Sequence, residues 1–278
     1  MARAHTQSLP RVAIVVPVCN EQESLQVLRI RLAELQRGLQ DRFIVFYLFV
    51  DDGSTDRTVE LIPRAVPDGA SFQIVSHGTN RGLGEAFRTA FQTVGTAEIV
   101  CTIDADCSYR ADNLIPMIQW IIEGKADVVV ASPYHPQGGV DGVPAWRLGL
   151  SRWCSQLYRV VSPVKLYTYT SMFRAYRGSF VREAQFQSTG FVSTVEILMS
   201  ASYMGYHIEE FPVVLHRRVA GTSKMRILRT VGQHLRLAVG CIVSRDRGYP
   251  FFCSASHDAE VSANSETRHF MKVAGNSR

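Results

Sequence analysis

Asp104-Ala105-Asp106 sets two carboxylates one residue apart at the end of an apolar run, Glu98–Ile103. Such anions repel unless a cation sits between them. Mg²⁺ or Mn²⁺ accepts oxygen ligands of this kind, with phosphate oxygens completing the shell. A solvated turn is the alternative, and the place after a buried strand favours the chemical reading. Asp51-Asp52-Gly53-Ser54-Thr55-Asp56 ends a second apolar run, Phe43–Val50. Gly53 and Ser54 suit a turn, and Ser54 or Thr55 could cap a helix. A cap needs only one acid, however, and Asp52 could accept from a nucleobase N–H or a ribose hydroxyl. Arg218 and Lys224 bracket a flexible basic loop, which suits a diphosphate leaving group or is simply solvated. Arg147, Ser151 and Arg152 lie about one helical turn apart, so one face could hold a phosphate; a surface helix is the alternative.

Other chemistries lack support. Phe87 stands where Gly82-Leu83-Gly84 would need its third glycine, so there is no dinucleotide fingerprint. The eight histidines form no H-E-x-x-H pair, and no G-x-S-x-G occurs. The six cysteines form no C-x-x-C pair and read as small thiols in a reducing cytosol. Glu196 and Glu210 read as structural hydrogen-bonding groups.

These residues need a frame. Val12–Val18, Phe43–Val50, Phe72–Ser76, Glu98–Ile103 and Asp127–Ala131 read as strands buried on both faces. Helical patterns separate them: one capped by Asn20 with Leu25, Leu28, Leu32 and Leu35, one from about Asp56, then Gly84–Val94 and Asn113–Glu123. Alternation of this kind implies an α/β fold, a mostly parallel twisted sheet with helices on both faces. Ligands of such sheets lie beyond the carboxyl ends of the strands, where the acidic clusters fall. The Pro- and Gly-rich stretch from Pro133 to Pro144 reads as a long loop. Beyond it, Trp146–Val161 and Val192–Met204 read as helices, Tyr167–Arg177 as β-rich and Tyr206–Leu215 as a strand. Lys224–Val243 reads as a basic amphipathic helix able to lie on a membrane surface or to pack on the domain. Residues 244–278 read as a polar, disordered tail.

Composition sets outer limits. The chain has 278 residues, 30 Lys+Arg against 25 Asp+Glu and a net charge of +5, with 46% apolar residues. It is long enough for a sizeable core and too apolar for wholesale disorder. No apolar run is long enough to span a membrane, and the N-terminus has no signal-peptide core. The basic excess suits a phosphate-bearing ligand or an anionic membrane and does not call for nucleic acid.

Six segments in order resemble family 2 glycosyltransferases of the GT-A fold, and within them the polyprenyl-phosphate sugar synthases. They are Val15–Leu25, Val50–Thr58, Asn80–Phe87, Asp104–Tyr109, Thr170–Arg177 and Arg217–Lys224. The resemblance implies one domain over residues 1–243, with a Rossmann-like nucleotide-sugar half at 11–131 and an acceptor half at 132–243. It implies that Pro17, Cys19, Glu21, Val50 and Asp52 line the nucleotide pocket. Asp104, Ala105 and Asp106 would meet the metal and diphosphate, and Arg218 and Lys224 would clamp the diphosphate. Arg147 and Ser151 would receive the acceptor phosphate. Cys19 stands where the family has Tyr, and Ser108, where it has a Gln metal ligand, would join Asp104 and Asp106 at the metal through a bridging water. Pro133 replaces a phosphate-binding Arg. Thr168 and Met172 also depart from the pattern.

The implied activity is inverting transfer of a sugar, mannose above others, to a polyprenyl phosphate. The donor would be GDP-mannose, or alternatively UDP-glucose, with Mg²⁺ or Mn²⁺. The protein would work peripherally on the cytoplasmic membrane face, alone or with a separate membrane-anchoring protein. The rival readings are a family 2 enzyme acting on a soluble or polysaccharide hydroxyl, and a non-catalytic nucleotide-sugar binding protein.

Overall fold

The structure, a computed structural model, describes residues 9–218 and 227–245. Lys224 and residues 246–278 of the polar tail lie outside the described residues. The chain opens with β1 (Arg11–Val18), α1 (Leu25–Leu39), β2 (Ile44–Asp51), α2 (Thr58–Ala65), β3 (Ser71–Ser76) and α3 (Leu83–Thr93). Next come β4 (Ile99–Thr102), α4 (Leu114–Ile122), β5 (Val128–Ser132) and β6 (Gly139–Asp141). Then follow α5 (Ala145–Val161), β7 (Arg174–Arg177), α6 (Gly178–Glu183) and α7 (Val192–Tyr203). The last elements are β8 (Ile208–Pro212), β9 (Val214–His216) and α8 (Ile227–Arg245).

Seven strands pair in the order β3-β2-β1-β4-β7-β5-β8. All neighbours run parallel except β7, which is antiparallel to β4 and β5. Both faces are covered, and β1 makes the reason visible. Its alternate residues Val12, Ile14, Val16 and Val18 join one core cluster, with α1 and α4. Ala13 and Val15 join the other, with Phe87, Phe91, Phe180 and Leu198 from α3, α6 and α7. Each fully buried Leu or Val is worth about 1.5–3 kcal/mol relative to exposure. In α1 the spacing of Leu25, Leu28, Leu32, Leu35 and Leu39 puts all five against the sheet. The expected mostly parallel α/β sheet is therefore the one observed.

Several local expectations need correction. Asn20 does not cap α1, whose first residue is Leu25. It takes a left-handed φ of 51° and turns back to the β2 end, its Oδ1 accepting from Thr55 N at 2.6 Å. Tyr167–Arg177 is strand only from Arg174. Tyr167 N and Thr168 N donate instead to the Glu210 carboxylate at 2.7 and 2.8 Å, so a side chain replaces the ladder there. Tyr206–Leu215 is not one strand. β8 pairs with β5 and ends at Pro212, which has no N–H to extend the ladder, and β9 pairs with β6 in a separate two-stranded sheet. The long loop thus contains a strand of its own. On α2, helix starts at Thr58, whose N–H donates to Asp56 Oδ1 at 2.9 Å.

β1 leads one way to β2 and β3, and the chain then returns to place β4 on the other side of β1. The crevice at such a reversal is the natural ligand position of a parallel sheet. One wall of it depends on glycine. A Cβ at Gly84 would sit 1.9 Å from Ser188 O, backbone that cannot step aside. Gly149 in α5 is exposed and meets nothing within 4 Å. Gly84→Ala is expected to lower unfolding free energy by about 1–3 kcal/mol through overpacking. Gly149→Ala is expected to raise it by about 0.5–1 kcal/mol through helix propensity. Chemical denaturation of both variants checks the pair, and equal shifts would contradict it.

Candidate active site

Three strand ends deliver the acidic residues to one place. β4 ends at Thr102, and the chain runs straight into Asp104-Ala105-Asp106. Cys107 then adopts a left-handed φ of 56°, uncommon for a residue with a Cβ. That turn folds Ser108 N back to donate to Asp106 Oδ1 at 2.9 Å. Asp106 Oδ2 meets Arg218 Nε at 2.8 Å, and both residues are largely buried. Asp104 is held differently. Its Oδ2 is shielded from solvent and has no hydrogen-bond partner among the described residues. Burial, and then the Asp106 charge, push the Asp104 carboxyl well above the usual carboxylate range, with Arg218 and Arg147 pulling the other way. Burial and the nearby Arg218 in turn lower the Arg147 guanidinium.

An orphaned carboxylate oxygen beside a second carboxylate fits a divalent cation. Among the described residues, no group of three or more His, Cys, Asp or Glu is placed to hold a metal. A cation here would rest on Asp104 and Asp106 and take other ligands from bound phosphate. Ser108 lines the same space, so its hydroxyl is within the site.

The pair stands between two cavities. The sheet-end cavity, about 220 Å³, is lined by Pro17, Cys19, Glu21, Asp52 and Ala105 among the expected residues. Val50 is not brought there; it is wholly buried in the core. Asp52 has a positioning duty. Its carboxylate accepts Arg81 N and Gly82 N, both at 2.8 Å, and meets His77 Nδ1 at 2.9 Å. A carboxylate accepts about four hydrogen bonds, so roughly one position is left for a ligand. Cys19 Sγ accepts from Asn80 Nδ2 at 3.3 Å. Asn20 and Ser54 tie the first two strand ends together, Asn20 N donating to Ser54 Oγ at 2.9 Å.

The helix-side cavity, about 180 Å³, lies against α5 and α8. Arg147 and Ser151 line it, and Ser151 Oγ meets Thr170 Oγ1 at 2.6 Å. Arg152 does not join them. Its guanidinium lies over the Tyr134 ring, 5.2 Å from the centroid, and lines a separate pocket. Residues four apart share a helix face and residues five apart do not. Arg218 reaches both main cavities. Glu196 and Glu210 each accept two backbone N–H groups, the structural role their setting suggests.

Met172, Phe191, Asn80, His216 and His234 also line the site, and no motif or spacing gave any of them a role there. Scattered histidines and single apolar residues in loops carry no periodic signal. Burial lowers the His234 imidazole to about 4, and its Nδ1 meets Tyr158 Oη at 3.0 Å.

The family model described as Glycosyl transferase family 2 matches residues 13–184. The chain belongs to that family. It is 28% identical over 223 residues to a polyprenol monophosphomannose synthase of Mycolicibacterium smegmatis, covering 77% of this chain and 81% of the relative. It is 28% identical over 221 residues to an undecaprenyl-phosphate mannosyltransferase of Micrococcus luteus, covering 77% of this chain and 87% of the relative. Among solved structures, a Mycobacterium tuberculosis glucosyl-3-phosphoglycerate synthase with Mn²⁺ and uridine diphosphate superposes with a TM-score of 0.61 at 18% identity. It covers 85% of this chain and 80% of its own, and the shared fold is GT-A.

His234 gives the site a pH signature. Its folded pKa lies below the ordinary value, so the unfolded chain binds the extra proton between pH 6.5 and about 4. Stability from keeping it neutral is complete above pH 6.5 and is lost as pH falls through that window. The loss amounts to roughly 3 kcal/mol. The difference in unfolding free energy, wild type minus His234→Gln, is expected to fall by about that amount between pH 7 and pH 4. Parallel pH curves would contradict this.

Proposed function

We propose that this chain is an inverting, divalent-metal-dependent glycosyltransferase that moves mannose from GDP-mannose to a polyprenyl phosphate. UDP-glucose is the alternative donor. The observation that carries the reading is the orphaned Asp104 oxygen beside the Asp106–Arg218 pair, where two cavities meet. The relatives' names support the acceptor.

In this reading the nucleotide sugar lies in the sheet-end cavity. Asp52 offers its remaining acceptor position to the base, beside Cys19, Pro17 and Glu21. Arg218, with Lys224, neutralises the diphosphate. Asp104 and Asp106 would hold Mg²⁺ or Mn²⁺, which would supply Lewis-acid stabilisation of the leaving diphosphate. Arg147 and Ser151 orient the acceptor phosphate in the helix-side cavity. A phosphate oxygen forms the new bond to the anomeric carbon from the face opposite the diphosphate. The bond from that carbon to the diphosphate oxygen breaks, and its electron pair leaves on the nucleoside diphosphate. A phosphomonoester has a second pKa near ~6 and is largely a dianion at pH 7, so no base is needed. The helix-side cavity is consistent with that: among the described residues its only carboxylates are Asp104 and Asp106.

One observation favours a hydroxyl acceptor instead. His216 lines this cavity, and its Nδ1 meets Asp141 Oδ2 at 3.2 Å, an arrangement suited to a general base.

A lipid acceptor needs a membrane, and α5 and α8 offer a face for one. Trp146, Trp153 and Val160 repeat every seventh residue on α5, with Val160 74% exposed. Leu235, Val239 and Ile242 form an exposed stripe on α8. Neither helix contains Asp or Glu, and each carries three Arg. No helix among the described residues is long and apolar enough to cross a membrane. Peripheral binding to the cytoplasmic leaflet fits these features.

Purified protein is expected to move radiolabelled mannose from GDP-mannose into an organic-extractable polyprenyl product with Mg²⁺ or Mn²⁺. Asp106→Asn is expected to lose about 10²–10³-fold or more in rate. Lipid product untouched by Asp106→Asn, or none in the wild type, would sink the reading. In the same assay His216→Ala is expected to stay within a few-fold, whereas a loss of about 10²–10⁴-fold would favour the hydroxyl acceptor. Cosedimentation with anionic vesicles is expected to fall when Trp153 and Val239 are both changed to Ser. Unchanged binding would remove this face from the account.

A further inference from the structure

Five of the described residues line both cavities, and they divide by chemistry. Asp104, Asp106 and Arg218 are charged and suit the cation and the diphosphate. Met172 and Phe191 are apolar. With the diphosphate in one cavity and the attacking oxygen in the other, the anomeric carbon falls where the cavities meet. The two apolar side chains then border the reacting carbon.

We infer that Phe191, positioned by the buried carboxylate of Glu196, shields that carbon from water, so that the sugar passes to the acceptor and not to solvent. The inference rests on the nucleotide-sugar half of the reading above and not on the identity of the acceptor.

The loop before Phe191 is gripped from both sides. Glu196, 1% exposed, accepts Gln187 N at 2.8 Å and Ser188 N at 2.7 Å. From the opposite side, Gly84 N donates to Thr189 O at 2.7 Å. Gly82 comes so close that a Cβ there would sit 2.3 Å from Thr189 O. Asp52 holds that glycine turn through Arg81 N and Gly82 N. Residues 187–190 therefore lie between two buried carboxylates, one in each half of the chain. Phe191 comes next and stays 41% exposed. Phe191 belongs to neither core cluster, and its ring is left half out at this junction. An aromatic ring excludes water by its volume and offers it no strong hydrogen-bond partner.

The reaction it would suppress is hydrolysis of the donor. Water oxygen bonds to the anomeric carbon, and the carbon–diphosphate bond breaks with its electron pair leaving on the nucleoside diphosphate. A water proton goes to solvent, and free sugar is released. Glu196 is a positioning residue in this account, because it acts only through the loop it holds.

The test follows free sugar and lipid product together, with the full chain, Mg²⁺ and GDP-mannose or UDP-glucose. Phe191→Ala is expected to release free sugar about tenfold faster than the wild type, with the donor KM changed less than about threefold. Phe191→Leu is expected to restore most of the shield. Glu196→Gln is expected to move the same ratio in the same direction, and its melting curve separates that from loss of fold. Free-sugar release from a folded Phe191→Ala equal to wild type overturns the inference. If the wild type makes no lipid product but Phe191→Ala still hydrolyses donor faster, the acceptor reading fails and the shield stands. If the wild type makes lipid product and Phe191→Ala hydrolyses no faster, the shield fails alone. If neither protein turns over donor, both fail.

Discussion

Two carboxylates held side by side at the end of β4 cannot both be charged at no cost, and much of the site answers that constraint. Asp106 is satisfied by the chain itself, through Ser108 N and Arg218. Asp104 is not; its Oδ2 is buried without a hydrogen-bond partner among the described residues, and its carboxyl is pushed up. The asymmetry matters chemically. A fully satisfied pair would have little to offer a cation, and a pair with no cation nearby would repel itself apart. Arg218 and Arg147 hold the pair together while leaving one oxygen for a ligand. Phosphate brings the negative charge that two arginines and a cation would then share.

The sheet makes this geometry reproducible. β1 and β4 are adjacent and parallel, so their ends open in the same direction. The stiff, doubly buried strands fix the backbone up to Val18, Asp51 and Thr102, and side chains take over beyond. Asn20 and Ser54 tie the first two strand ends; Asp52 and His77 tie the second and third. The left-handed turns at Asn20 and Cys107 are the local cost of redirecting the chain so sharply. A third set of bonds, from Glu196 and Gly84, brings a loop of the second half of the chain onto this frame. The walls of the two cavities are thus parts of one packed unit.

Much of this was legible in the sequence. Short apolar runs ending in Asp clusters announced a parallel sheet with a site at its carboxyl ends, because burial on both faces leaves no room for polar residues until the strand stops. What the sequence hid was of two kinds. Backbone that donates its N–H groups to a side chain can share the composition of a strand, as at Tyr167 and Thr168, where the Glu210 carboxylate substitutes for a neighbouring strand. Residues that act singly leave no pattern: Phe191, Met172 and His216 reach the site only because distant segments pack there. Val50 errs in the other direction. It stands next to Asp51 and Asp52, but strand alternation turns it into the core.

The central claim is that Asp104 and Asp106 form half of a cation site whose other half is phosphate. Titration calorimetry of GDP and UDP binding, with and without Mn²⁺, tests it most directly. The account predicts strong mutual dependence: each of metal and nucleotide binds weakly alone, each strengthens the other by about tenfold or more, and Asp106→Asn abolishes the coupling. Nucleoside diphosphate binding of equal strength with and without metal, in the wild type and in Asp106→Asn alike, would contradict it.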